Sequence, residues 1–368
     1  MTLPVIDCSL INCVNFSMAI ELDSAIHRHE LYREANVNPI KSMKLIQSLL
    51  FLTAVLGVVP ASCGKAAATA EKDGFTFVVT CDMREFTTPK YDTPQYFRGV
   101  VEAVARAGKG EFMVSPGDID PPWDVKAQIE KALGKDYLWY PTPGNHETET
   151  SEDMQWLREY NAGGNSLPHI VRPGPEGSRE STYSFEFGKA HFAMINQYYD
   201  GISDTGTNGD VTDALYKWLE EDLAANTKPK VFVIGHEPIM PMPDIDSGRI
   251  RHTDDSLNEH PENDLRFVRL LRRHNAYYIC GHTHNASVAN INGVWQIDSG
   301  HSRGIGDKGA PSTFLRVQVT DGPPQVEMWR DDGSGTNYTI TSTWTLVDIG
   351  SVNEAKVPAA GGSGQGEY

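Results

Sequence analysis

Five short apolar runs in this chain each lead into an Asp, Asn or His. The run FTFVV (75–79) leads to Asp82, EFMVS to Asp118, YLWYPT to Asn145 and His146, KVFVIG to His236, and AYYICG to His282 and His284. In four of the five cases the first polar residue directly follows a glycine. Runs of β-branched and aromatic residues bounded by turn residues read as buried strands. Between them lie stretches of helical spacing. PQYFRGVVEAVARAGKG sets Phe97, Val100, Val101 and Val104 on one face and closes at Gly108, and WDVKAQIEKALGK, DALYKWLEEDLAAN and NDLRFVRLLRRH read the same way. Alternating strands and helices predict an α/β fold with helices outside the sheet, and in such sheets ligands bind beyond the carboxyl ends of the strands.

TYSFEFG and AHFAMIN read as a hairpin turning at Gly188-Lys189, and beyond residue 285 only strands are expected, among them VWQIDS, TFLRVQV and QVEMWR. These late strands suggest a second sheet stacked on the first. There is no internal repeat, so residues 74–345 read as one catalytic domain, with a low-complexity tail at 346–368 expected to be disordered.

The N-terminal segment bears on export. From Met43 the chain runs through Lys44, an apolar stretch from Leu45 to Val59 and the small-residue segment VPASC, the layout of a secretory signal peptide. A membrane-spanning helix needs ~20 apolar residues, more than this run supplies. PASC also resembles a lipoprotein box with Cys63 as the lipid-bearing residue, so a periplasmic or secreted protein and a membrane-anchored lipoprotein are both open. Residues 1–42 read as an upstream extension ahead of the true start, 43–63 as the signal and 64–73 as a linker. Cys81 and Cys280 lie on apolar strands, where either a disulfide or two buried thiols would fit. The formal net charge of −17 argues against nucleic acid as a partner, since a polyanion would be repelled. A small phosphorylated substrate at a locally positive site stays open; no protein partner is inferable.

One Gly-Asp or Gly-His pair is ordinary turn chemistry. Five strand ends in chain order, all bearing carboxylates, an amide or imidazoles, make a ligand set suited to Zn, Fe or Mn. An aspartate bridging two ions lets them sit ~3.5–4 Å apart and clamp one phosphoryl oxygen from both sides.

GD, GNHE, GHEP and GHTH, in this order after a strand-ending Asp, resemble the calcineurin-like metallophosphoesterase superfamily over roughly 75–300. The resemblance implies two stacked mixed β-sheets flanked by helices, a four-layer αββα sandwich, and metal-dependent hydrolysis of a phosphomonoester or phosphodiester. It implies Asp118 as the bridging carboxylate, with Asn145, His236 and His282 on one metal and Asp82 and His284 on the other. His146 would stand beside the site to protonate the leaving oxygen or stabilise charge on the phosphoryl group, and a metal-bound hydroxide would attack. His282 and His284, two apart on an extended segment, would point the same way and reach both metals.

The first motif departs from the family's Asp-x-His: it reads Asp-Met-Arg, and a guanidinium offers no lone pair to a cation. In the second motif Asp120 comes one position early and Pro121 stands where an aspartate is usual. Three readings follow. Tyr198, Tyr199 or His301 replaces the missing ligand; or Arg84 binds substrate phosphate and one metal suffices; or the chain binds metal without turnover. The cations would be two divalent ions, or one because of Arg84, with Mn, Fe, Zn and Mg not distinguished.

GHSRG (Gly300 to Gly304) matches the nucleophile-elbow pattern, which would make Ser302 a hydrolase nucleophile, but that motif needs a helix next and a Gly/Pro loop and strand follow instead. A phosphate-site loop suits the segment better, with His301 and Arg303 as substrate contacts. Asn196, Tyr198 and Tyr199 in NQYYDGISDTGTNGD, and Arg249, Arg251 and His252 in the aperiodic stretch 242–263, are further groups that could face a phosphate.

Overall fold

The computed structural model describes residues 74–347; the expected extension, signal and linker lie outside them, as does the tail beyond Val347. Among the described residues no helix is long and apolar enough to cross a membrane.

The first sheet takes the order β13-β12-β11-β1-β2-β3. It is formed by β1 (Phe75–Val79), β2 (Phe112–Ser115), β3 (Leu138–Pro141), β11 (Thr313–Val319), β12 (Gln325–Asp331) and β13 (Tyr338–Thr345). β1, β2 and β3 run parallel, while β11 joins β1 antiparallel, with Phe77 opposite Val317. The second sheet, in the order β4-β5-β6-β7-β8-β10-β9, holds β4 (Ile170–Pro173), β5 (Tyr183–Phe187), β6 (Ala190–Met194), β7 (Lys230–Ile234), β8 (Tyr277–Cys280), β9 (Ala286–Ile291) and β10 (Val294–Ser299). Both sheets are therefore mixed. β5 and β6 form the expected hairpin, turning at Gly188 with φ of 52°.

Successive strand residues face opposite sides, so each strand feeds two layers. Phe77 and Val79 of β1, Phe112 of β2, Phe192 of β6, Phe232 of β7 and Ile279 of β8 pack between the sheets. Val78, Met113 and Trp139 face out of the first sheet against α1 (Phe97–Ala107), α2 (Pro122–Leu133) and α4 (Ser151–Tyr160), meeting Val100, Ile129 and Leu157. Val231, Val233 and Tyr278 face out of the second sheet against α5 (Asp213–Ala225) and α6 (Pro261–Arg273), meeting Leu219 and Phe267. The result is the four-layer αββα sandwich. Leu346 is buried in the inter-sheet core and its N–H bonds the Pro324 carbonyl, so domain packing continues past residue 345.

α1 and α2 end where the sequence predicts, with Gly108 and Gly134 at φ of 99° and 105°. Periodicity did not reveal the short α3 (Asn145–Glu149), α4, β4, β9 or β13. Cys81 and Cys280 are buried free thiols.

Candidate metal centre

Asp82, Asp118 and the α3 residues Asn145 and His146 come from loops at the carboxyl ends of β1, β2 and β3. His236, His282 and His284 come from the loops after β7 and β8. The facing sheets thus bring to one place residues spread over two hundred positions of chain. Four of these residues hold left-handed backbone: Asp82 (φ 53°), Asp118 (52°), His282 (69°) and His284 (58°). That conformation is unfavourable for side chains with a Cβ, and the surrounding structure has to enforce it. The two histidines are therefore not on extended backbone, contrary to the sequence reading; a turn with Thr283 N–H on the Gly281 carbonyl aims them at different partners.

Two glycines allow the loops to approach. A Cβ on Gly117 would lie 2.6 Å from both the Gly144 nitrogen and His236 Nδ1, and one on Gly144 would lie 2.4 Å from Asp118 Oδ1. Between these loops sits the buried Glu147 carboxylate. Oε2 accepts from the N–H groups of Asp118 (3.0 Å) and Gly144 (2.6 Å), and Oε1 from Ile119 (2.7 Å). Glu147 ties the Asp118 loop to the Asn145 loop.

His236 Nε2 lies 3.2 Å from Asn145 Oδ1, 3.2 Å from His282 Nδ1 and 3.3 Å from Asp118 Oδ1. The opposite nitrogens settle the tautomers. His236 Nδ1 donates to the Pro116 carbonyl at 2.7 Å, and His282 Nε2 to the Asp255 carbonyl at 2.8 Å. Carbonyls only accept, so the inward nitrogens carry lone pairs. Two imidazole lone pairs and two side-chain oxygens converge with no proton between them, an arrangement that a cation stabilises.

Beside it, ligand atoms of Asp82, Asp118 and His284 lie within 4.8 Å of one another. Asp82 Oδ1 is buried without a hydrogen-bond partner and stands 3.5 Å from His284 Nε2. His284 Nδ1 lies 2.9 Å from Asp307 Oδ2, the carboxylate–imidazole pairing that orients a ligating histidine. The residues present therefore fit one or two divalent cations, with Asp118 shared between the clusters.

The electrostatics agree. Burial and then the Asp118 charge push the Asp82 carboxyl well above its ordinary range. Burial would raise Asp118 as well, but the charge that His236, His146 and His282 take on in acid holds it at about 2. Burial is also the main cause keeping His236 below its ordinary value, His282 at about 3 and His284 at about 2. The imidazoles are neutral, the form that donates a lone pair to a metal.

His146 stands beside the centre without joining it, its Nε2 3.7 Å from Asp118 Oδ2. Arg84 Nη1 meets that nitrogen at 2.8 Å, while Arg84 Nε bonds Asp120 Oδ2 at 3.2 Å. His146 Nδ1 lies 3.2 Å from Glu149 Oε2, so the ring proton goes to Glu149 and Nε2 accepts from Arg84. Arg303 Nε donates to the Asp82 carbonyl at 2.6 Å, with its guanidinium 5.8 Å from the Phe86 ring.

Three expectations, those for Tyr198, His301 and Tyr199, require correction. Tyr198 is buried and its hydroxyl donates to Glu237 Oε1 at 2.8 Å, so it faces the interior and not a substrate. His301 is fully buried, Nε2 on the Ala310 carbonyl at 2.9 Å and Nδ1 accepting from Arg303 N–H at 3.3 Å. Its ring nitrogens are spent on backbone. Ser302 is buried with its hydroxyl donating to the Thr313 carbonyl at 2.8 Å, and only a one-turn 3-10 segment, Gly304–Gly306, follows. That leaves no elbow and no base to activate it. Tyr199 is also turned away, its hydroxyl on the carbonyls of Glu176 and Gly201. None of the three candidate replacement ligands reaches the Asp82 cluster. Asn196 braces the Ser181 hydroxyl and the Asp204 carbonyl.

Sequence reasoning passed over Glu147, Asp255 and Asp307. Asp307 follows Gly306 in one more Gly-Asp pair, but no apolar run precedes that pair, and strand ends were the signal in use.

Fold and site together define a two-sheet α/β protein with an Asp/Asn/His centre suited to divalent metal at its strand ends. The chain belongs to the calcineurin-like phosphoesterase family, whose model matches residues 77–286. No curated protein matches it. Similar solved structures include GAP50, the anchor in the inner membrane complex of Plasmodium, at 17% identity and TM-score 0.46, covering 74% of this chain and 88% of that one. PhoD matches at 12% identity and TM-score 0.48, covering 74% and 72%. YfcE, a phosphoesterase from E. coli, matches at 11% and 0.34, covering 74% and 100%.

Proposed function

We propose that the protein is an exported metal-dependent phosphoesterase that hydrolyses a phosphomonoester or phosphodiester. The observation that carries this reading is the convergence of His236 Nε2, His282 Nδ1, Asn145 Oδ1 and Asp118 Oδ1, with both imidazoles held by their far nitrogens. These four residues would hold one divalent ion, and Asp82, Asp118 and His284 a second. Such ions supply Lewis-acid polarisation of a phosphoryl oxygen and lower the pKa of water. The chain's own groups do the remainder. Asp307 and the Asp255 carbonyl fix the imidazoles, Glu147 fixes the spacing of Asp118 and Asn145, and His146, its own ring proton on Nδ1 toward Glu149, takes a second proton from water at Nε2 once substrate phosphate draws Arg84 away and passes it to the leaving oxygen. Arg84 and Arg303 contact the phosphoryl oxygens. Export rests on the signal layout of residues 43–63, with Cys63 as the anchor in a lipidated form.

The test is hydrolysis of an aryl phosphate by the full chain, before and after chelation and after return of Mn²⁺ or Zn²⁺. Activity should vanish with chelator, return with metal, and survive Ser302→Ala. Activity that persists in EDTA and disappears in Ser302→Ala would overturn the reading.

A further inference from the structure

Arg251 has no settled partner. Its Nη1 lies 2.5 Å from His284 Nδ1, while the nearest carboxylate oxygen of Asp307 is 3.9 Å away, and the side chain is one-third exposed. Its neighbour Arg249 is fully engaged: Nε to Asn285 Oδ1, Nη1 to Asp307 Oδ1 and Nη2 to the His284 carbonyl. Once His284 Nε2 turns its lone pair to a cation, Nδ1 must carry the ring proton, and that proton goes to Asp307 Oδ2. The Arg251 N–H would then point at another N–H. Two donors cannot share that contact, so Arg251 is freed as the site fills.

The freed group has company. Arg84 Nη1 lies on His146 Nε2, and Arg303 Nε on the Asp82 carbonyl. In a chain of net charge −17, three guanidiniums thus reach groups around the centre, at His146, the Asp82 carbonyl and His284.

We propose that Arg84, Arg251 and Arg303 form a cradle for a dianionic phosphoryl group, so that the site takes phosphate monoesters in preference to diesters. This rests on the phosphoesterase reading and narrows it. A monoester presents three non-bridging oxygens and two charges; a diester presents two oxygens and one charge. Guanidinium N–H groups bind charged oxygens with net strength equivalent to roughly 10- to 100-fold in affinity each. The third oxygen gives the third arginine something to hold.

The experiment is calorimetric titration of the Mn²⁺-loaded full chain with inorganic phosphate and with dimethyl phosphate, in wild type and Arg251→Met. Hydrolysis of 4-nitrophenyl phosphate and bis(4-nitrophenyl) phosphate is measured on the same samples. Phosphate should bind at least about 10-fold tighter than dimethyl phosphate. Arg251→Met should weaken phosphate by about 10-fold and dimethyl phosphate by no more than about 2-fold. Equal affinity for the two anions, or an Arg251→Met variant that binds phosphate like wild type, overturns the proposal. Diester turnover alongside equal affinities would leave the phosphoesterase reading standing and sink the cradle. Selective phosphate binding without turnover of either ester would do the reverse, and a chain that binds neither anion refutes both.

Discussion

Glu147 offers the sharpest test of how the centre is held. It is buried, and its two oxygens accept three backbone N–H groups, those of Asp118, Ile119 and Gly144. Burial and the Asp118 charge push its carboxyl up, while the Gly144 and Ile119 donors pull the other way. In Glu147→Ala those donors lose their acceptor inside the protein, at roughly 1–3 kcal/mol each. The three share one carboxylate and are not additive, so a total of about 4 kcal/mol is reasonable. A domain of this size loses about 2–4 °C in Tm per kcal/mol, which puts the variant about 10 °C below wild type. Because Asp118 and Asn145 sit on the two loops that Glu147 joins, metal binding should suffer too. In wild type, Mn²⁺ at about 100 times Kd adds about 2.7 kcal/mol of stability; the variant should gain much less. Thermal melts by circular dichroism, with and without Mn²⁺, read both effects. Glu149→Ala is the control, since that carboxylate is mostly exposed and should shift Tm by less than about 2 °C. A Glu147→Ala variant that melts within about 2 °C of wild type and gains as much from Mn²⁺ would refute the bracing role.

Two further outcomes are expected. Asp307→Asn leaves the shape of the pocket but loses the carboxylate that orients His284, so affinity for a second equivalent of metal should fall roughly 10- to 100-fold by calorimetry, with the first equivalent little changed. Burial holds the His301 pKa at about 4 against 6.5 in the unfolded chain. The unfolded state therefore takes up a proton below pH 6.5 that the native state refuses until about pH 4, and stability falls as pH drops across that window. The loss is about 3 kcal/mol from this group. His301→Gln should flatten the fall in denaturant midpoint between pH 7 and 4.5, and an unchanged pH slope would contradict the assignment.

The strands that carry the site were legible because each is a short run buried along most of its length, and burial on both faces writes a near-continuous apolar signature. β13 was harder to see because Thr339, Ile340 and Thr341 are exposed and serine or threonine fills five of its eight positions. α3 escaped because five residues hold no helical period, although its first two are site residues. The candidate ligands follow the GD, GNHE, GHEP and GHTH blocks, where metal chemistry would need particular residue types at fixed places. The supporting groups were not legible in the same way. Asp307 and the Asp255 carbonyl act through tertiary contacts from loops without periodicity, and a backbone carbonyl leaves no mark in a sequence at all. Tyr198 and His301 misled for the opposite reason: they have suitable polar atoms near the right motifs, but those atoms face the interior, which only the fold decides. Arg84, read from the sequence as no metal ligand, has His146 and Asp120 as its partners in the fold.

The most direct test of the account is anomalous diffraction from crystals of the full chain grown with Mn²⁺ or Zn²⁺. The account predicts a strong peak within coordinating distance of His236 Nε2, His282 Nδ1, Asn145 and Asp118, and a second, weaker peak among Asp82, Asp118 and His284. A loaded crystal with density only at surface carboxylates, and none among the strand-end ligands, would contradict it.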